Sequence, residues 1–137
     1  MKTEPYLTFS GRCEEALNFY VDALGARIDA LMRFSDAPPG GMPDCPVEPD
    51  KVMHAMITIG DNVVMASDGG SADQAGFSGF ALTVTADDAV HAAACFNALS
   101  DGGTVTMPLS ETFFAHQFGM VNDRFGVPWM VIVPREG

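Results

Sequence analysis

An α+β fold made of two tandem modules, each a strand, a helix and three further strands, is what this sequence predicts. Three observations lead to it. Apolar residues switch twice along the chain between strand-like runs and a helical spacing of three and four. Laying Phe19 on Phe96 gives an offset of 77 that also carries Gly25 onto Gly102, so two helical stretches meet a glycine stop at the same distance. Hydrophobic residues make up 47% of the 137 against 18% charged, enough apolar surface to bury a core without disulfides or metals.

The elements follow in order. Pro5 to Phe9 is a short apolar run ended by Ser10-Gly11. Within Arg12 to Leu24, the residues Cys13, Ala16, Leu17, Tyr20 and Leu24 recur at spacings of three and four. They predict an amphipathic helix with Glu14 and Glu15 near its positive end and Gly25 as its stop. Ile28 to Phe34 reads as a strand, and the Pro- and Gly-rich segment Ser35 to Asp50 as a long loop. Val52 to Ile59 and Val63 to Ser67 are strands joined through Gly60-Asp61-Asn62, a hairpin composition. Residues 68–77, rich in Gly, Ser, Asp and Ala, form a connector between a first module at 5–67 and a second at 78–134, within one domain spanning 1–137. Gly79 to Val84 is again apolar, Asp87 to Leu99 repeats the helical spacing, and Gly102-Gly103 ends it. Thr104 to Met107 and Gln117 to Val121 are strands, and Asp123-Arg124-Phe125-Gly126 turns into the last one, Val127 to Val133. A single helix cannot cover both faces of its sheet. The modules must therefore associate, and the concave hollow expected between them is the natural ligand site.

Eighteen acidic residues against seven basic ones give a formal charge of -11, a field that repels phosphate backbones and anionic lipid. Nucleic acid and membranes are excluded as expected partners. The opening M-K-T-E-P-Y lacks the apolar run of a secretory signal, and no stretch reaches the roughly 20 apolar residues that span a bilayer, so a soluble, cytoplasmic protein is expected. Cys13, Cys45 and Cys95 are odd in number and share no C-x-x-C spacing, which reads as reduced thiols rather than a disulfide framework or a zinc knuckle.

Four stretches carry a resemblance: Y-L-T-F-S-G-R-C-E-E-A-L-N-F-Y, K-V-M-H-A-M-I-T-I-G-D-N-V-V-M-A-S-D, F-N-A-L-S-D-G-G-T-V-T-M-P-L and F-G-M-V-N-D-R-F-G-V-P-W-M. From about Pro5 to Val133 the chain resembles the PhnB-like (3-demethylubiquinone-9 3-methyltransferase-like) branch of the vicinal oxygen chelate superfamily, which also holds glyoxalase I, extradiol dioxygenases and the fosfomycin and bleomycin resistance proteins. The resemblance implies paired βαβββ modules whose curved mixed sheets surround a hollow, the glyoxalase/bleomycin resistance/dihydroxybiphenyl dioxygenase fold, and a homodimer. In metal-using members the ligands are His, Gln or Glu from the first and last strands of each module. The matching positions fall here at about Pro5, at Ala66 or Ser67, at Gly79 or Phe80, and at Met130. None of these binds a divalent cation in that way, so no metal and no cofactor is expected.

His54 begins an apolar strand and His116 follows Phe113-Phe114; each either faces the hollow or is a satisfied polar residue at a strand end. Facing inward together with Glu111, they would make a general acid and base, because a histidine beside a carboxylate is poised near neutral pH. His91, four residues after Asp87 on the second helix, reads as structural. Met56, Ser67, Phe113, Phe118, Met120 and Trp129 are the expected ligand-binding residues, their aromatic faces and adaptable thioethers suiting a planar, largely apolar small molecule. Phe118, Met120, Phe125, Trp129 and Met130 along strands also suffice as an ordinary core. Asp68-Gly69-Gly70-Ser71 follows a strand but leads to no adequate helix, so it does not read as the glycine-rich turn of a Rossmann-type S-adenosylmethionine site. Cys13 reads as a buried structural thiol. Two functions stay open: binding of a small apolar or aromatic compound without the usual metal, or a glyoxalase/dioxygenase-type or metal-free acid–base enzyme using His54, His116 and Glu111.

Overall fold

A computed structural model of the chain describes residues 1–36, 48–69 and 76–135. Cys45, most of the expected long loop and residues 70–75 of the expected connector lie outside the described residues. The chain divides into two compact units, Met1–Ala75 and Gly76–Gly137. The first contains β1 (Tyr6–Thr8), α1 (Cys13–Leu24), β2 (Arg27–Arg33), β3 (Val52–Ile59) and β4 (Asn62–Ser67), with a single 3-10 turn at Phe34–Asp36. The second contains β5 (Leu82–Thr85), α2 (Ala89–Ser100), β6 (Thr104–Ser110), β7 (Ala115–Asn122) and β8 (Pro128–Pro134). The two four-stranded sheets have the same order, β1-β4-β3-β2 and β5-β8-β7-β6. In each the first strand runs parallel to the last, and the remaining pairs are antiparallel. The fold is α+β, with the same five-element order performed twice.

Two boundaries differ from expectation. The strand expected from Gly79 begins at Leu82, because Gly79 takes a φ of 80°, outside strand geometry. The helix expected from Asp87 begins at Ala89, because Asp88 is extended and its carboxylate accepts the His91 N–H at 2.8 Å, the bond of an N-cap. His91 returns the contact through Nδ1, which accepts the Asp87 N–H at 3.2 Å.

One face of each sheet lies under its helix. α1 buries Cys13, Ala16, Leu17 and Tyr20, while Leu7, Ala55, Ile57, Val64 and Ala66 alternate inward along the strands. In the second unit α2 buries Ala92, Cys95, Phe96 and Leu99, and Val121, Trp129, Val131 and Val133 are the buried strand positions. The helical sets map one for one at an offset of 79, not the 77 that lays Phe19 on Phe96. Leu17 is therefore the counterpart of Phe96, and Phe19 is only half-buried. The first strands do keep the offset of 77: the Phe9 N–H bonds the Ser67 carbonyl at 2.9 Å, as the Ala86 N–H bonds that of Ile132 at 2.8 Å. The buried face of the helix is thus set two positions later in the second copy, although three residues (86–88) separate strand from helix there against four (9–12) in the first.

Glycine settles two close details. Gly25 caps α1 at a φ of 68°, its N–H donating to Val21 at 3.1 Å. At Gly119 a Cβ would stand 2.8 Å from the Phe96 ring and 3.1 Å from Leu109, so its absence lets α2 sit directly on β7. Arg12 makes no side-chain cap for α1. Asp68 takes that role from a distance: it is buried and accepts the N–H groups of Gly11 and Cys13 at 2.8 Å and of Val52 at 2.7 Å. One carboxylate thereby ties the end of β4 to the starts of α1 and β3. Among the described residues no helix is long and apolar enough to cross a membrane.

Candidate functional site

In the second unit Gly119 meets Phe96 of α2, so its neighbours Phe118 and Met120 point to the opposite face of the sheet. Strand register puts Met107 opposite Met120, Met120 opposite Met130, and Met130 beside Thr83. Directly opposed residues share a face, so three thioethers form one row across β6, β7 and β8. A cavity of about 400 Å³ opens there, lined by Phe80, Thr106, Met120, Asn122, Trp129 and Met130 among others. Its side chains are apolar apart from Thr106 and Asn122.

The turn beside this wall is built by Asp123, a buried carboxylate. Its Oδ1 accepts the Phe125 N–H at 2.8 Å and the Val127 N–H at 3.0 Å, and its Oδ2 accepts the Trp129 indole N–H at 2.9 Å. The indole is fixed in position and its one polar atom is satisfied.

Of the expected ligand-binding residues, the cavity brings together Met120 and Trp129. Phe118 lies on the same face two residues from Met120, its ring 5.1 Å from that of Phe114. Phe113 stands 92% exposed, against Phe114. Met56 and Ser67 belong to the first unit: Met56 is opposite Met65, and the buried Ser67 hydroxyl accepts the Gly69 N–H at 3.1 Å. His54 is also in the first unit, with Nδ1 3.2 Å from the Tyr6 hydroxyl. Glu111 and His116 are both exposed in the second. Glu111 pairs with Arg135 at 3.1 Å, and no hydrogen bond joins it to His116 among the described residues. The Cys13 thiol is pushed up to about 12 by burial first, then by the charges of Asp68 and Glu14, so it stays protonated and is no nucleophile. Phe80, Thr106 and Asn122 complete the wall without having been marked as ligand contacts by the sequence. Their signal is strand pairing, which composition does not reveal.

The family described as 3-demethylubiquinone-9 3-methyltransferase matches residues 1–132. The chain belongs to this family. Protein YjdN of Escherichia coli K12 is 34% identical over 99% of this chain and 97% of its own length. The crystal structure of PA1353 from Pseudomonas aeruginosa is 39% identical, covers 99% of both chains and superposes with a TM-score of 0.85. A Bacillus cereus PhnB protein, titled for the same methyltransferase, is 27% identical over 97% of this chain and 99% of its own, with a TM-score of 0.82. A glyoxylase/bleomycin resistance protein/dioxygenase domain from Frankia sp. EAN1pec, 16% identical with a TM-score of 0.67, shows the shared fold.

The positions where the resemblance implies metal ligands do not fit a divalent cation. Pro5, Ala66 and Gly79 have no side-chain donor, Phe80 and Met130 are walls of the apolar cavity, and the Ser67 hydroxyl is engaged by Gly69. Among the described residues no group of three or more His, Cys, Asp or Glu could hold a metal ion.

Proposed function

We propose that this chain binds a small, planar, largely apolar compound in the cavity of its second unit, as a cytoplasmic homodimer. The observation that carries it is the opposed thioethers of Met120 and Met130 on one side of an opening of about 400 Å³, a volume within the range of small-molecule sites. Thioethers adapt to flat ring faces, and Thr106 and Asn122 supply the few polar contacts that orient a carbonyl or hydroxyl. Second copies would cover Val105, Met107, Phe113 and Phe114, which are apolar and exposed on β6 and just beyond it.

Methyl transfer, the activity in the family's description, is less well supported. A Rossmann-type S-adenosylmethionine site uses free N–H groups where a helix follows a parallel strand. Asp68 occupies those of Gly11 and Cys13 at α1, and Asp88 occupies that of His91 at α2.

Trp129 is the only tryptophan, which gives the cavity its own reporter. N-phenyl-1-naphthylamine, a neutral planar probe that absorbs tryptophan emission, should quench Trp129 by energy transfer and saturate at one per chain. Met120→Gln should weaken the quenching while the far-ultraviolet circular dichroism stays unchanged. Absence of quenching, or equal quenching in the variant, would reject the reading. For the dimer, sedimentation should give about twice the 14.5 kDa chain mass, and a monomer at micromolar concentration would contradict it.

A further inference from the structure

The first sheet also has a face turned away from its helix, and its chemistry differs. Ala55, Ile57, Val64 and Ala66 are buried on the helix side, so His54 and Met56 of β3 and Met65 of β4 project from the other. Register pairs Met32 with His54, Met56 with Met65, and Tyr6 with Met65. Opposed Cβ atoms in such pairs stand about 5 Å apart, and His54 and Met56 follow one another about 7 Å along the strand. Met56, Met65 and the His54 imidazole therefore occupy adjacent positions on one surface, whereas β3 separates Met32 from Met65. None of the three is fully buried.

From this juxtaposition we propose that the face binds one soft monovalent cation, Cu(I), through the sulfurs of Met56 and Met65 and the Nε2 of His54. Thioethers are poor partners for hard cations and for zinc, whereas Cu(I) favours sulfur and imidazole in three- or four-coordinate sites. Methionine's three side-chain torsions let sulfurs on neighbouring strands converge on one ion without moving the backbone. The second contact that supports the site is Tyr6, whose hydroxyl lies 3.2 Å from His54 Nδ1 with the rings 5.7 Å apart. With Nδ1–H donating to the phenolic oxygen, the Nε2 lone pair is free to ligate, the outer-sphere arrangement that orients metal-bound histidines. All three ligands are neutral, so the site gains one positive charge, in a chain of formal charge -11. These residues are neither the superfamily's metal positions nor part of the second unit's cavity, so the inference stands independently of the proposed function.

Cu(I) titrated anaerobically against bicinchoninate tests it on the full chain. The wild type should withdraw one Cu(I) per chain, Met56→Leu with Met65→Leu should abolish this, and Tyr6→Phe should weaken it about 10-fold. Leu for Met conserves volume, and a matching thermal melt would show that the fold survives. Because thiols also take Cu(I), Cys45→Ser is titrated in parallel and should bind as the wild type does. In the wild type itself, the methionine methyl resonances of Met56 and Met65 should shift on loading while those of Met107, Met120 and Met130 stay. No withdrawal by the wild type, unchanged binding in the double leucine variant, loss in Cys45→Ser, or shifts confined to the other methionines would each overturn the proposal.

Discussion

Asp123→Asn is the substitution whose effect the structure fixes most closely. The carboxylate accepts from Phe125, Val127 and the Trp129 indole, all at 3.0 Å or less. An asparagine can keep its oxygen toward the two backbone N–H groups, but its NH2 then faces the indole N–H, donor against donor. Two bonds drop from the charged class at about 2 kcal/mol to the neutral class at about 1 kcal/mol. The indole N–H, on a side chain only 2% exposed, loses its partner for a further 1–3 kcal/mol, roughly. The total is about 4 kcal/mol, and at about 4 °C per kcal/mol for a domain of this size the Tm should fall by roughly 15 °C. Urea melts followed by circular dichroism measure it, and a double-mutant cycle with Trp129→Phe isolates the indole. With no donor at 129, Asp123→Asn should cost only about 2 kcal/mol, leaving a coupling of about 2 kcal/mol. A cost below about 1 kcal/mol in the wild-type background, or additivity within about 0.5 kcal/mol, would refute the assignment of that turn.

Gly119→Ala places a methyl 2.8 Å from the Phe96 ring, so it should cost about 1–3 kcal/mol in urea melts, partly recovered by Phe96→Leu. A neutral result would mean that α2 does not rest on β7. For Cys13 the native thiol is pushed up from 9.0 to about 12, so its contribution to stability is fully present below pH 9 and is lost as the pH rises through about 12. At pH 9 iodoacetamide should spare Cys13 in the native protein and label it in urea, read by mass spectrometry; native labelling would contradict its burial. Glu14 and Arg33 form an ion pair at 2.7 Å with side chains 48% and 35% exposed, so Arg33→Ala should leave the urea midpoint nearly unchanged. The same change should raise the Glu14 titration midpoint by nuclear magnetic resonance, because the Arg33 hydrogen bond and charge hold that carboxyl below its usual range.

Residues whose partners are near in sequence were the ones that could be read. The apolar faces of α1, β3, β7 and β8 show in their spacing, and Gly25 shows as a stop because a helix end needs a left-handed residue. Asp123 bonds only to residues two, four and six positions ahead, and its stretch was read as a turn, although not as a buried carboxylate. Asp68 was placed in a connector because its partners Gly11, Cys13 and Val52 lie 57, 55 and 16 residues away, beyond any local pattern. The offset of 77 matches aromatic letters and misses the two-position shift of the buried face of α2, since identity of side chains is not identity of burial. Met120 and Trp129 were legible as wall residues by type, whereas the alignment of Met107, Met120 and Met130 into a row depends on register that bulges in β6 help to set.

The common strand order makes the two open faces comparable position by position, and the comparison explains why they should bind different things. Across the first sheet the row reads Ala30, Met56, Met65, Tyr6; across the second it reads Met107, Met120, Met130, Thr83. The two central methionines recur, so a duplicated unit retains a polarizable centre in both copies. The flanks decide the chemistry. Two residues before the central methionine on its strand the first copy has His54 and the second Phe118, and on the first strand Tyr6 stands where the second copy has Thr83. Tyrosine is long enough to reach the imidazole and hold one of its nitrogens, which leaves a donor set beside the thioethers. Threonine is too short to cross its sheet, and the space beside Met130 remains open to the cavity that Phe80 lines from the segment preceding β5. An imidazole and a phenol beside sulfur favour a soft cation, while a phenyl ring and a gap favour a flat hydrocarbon surface. On the two proposals made above, the same backbone would carry two sites because exchanges at the ends of one cross-strand row and beside its centre change which atoms face the opening.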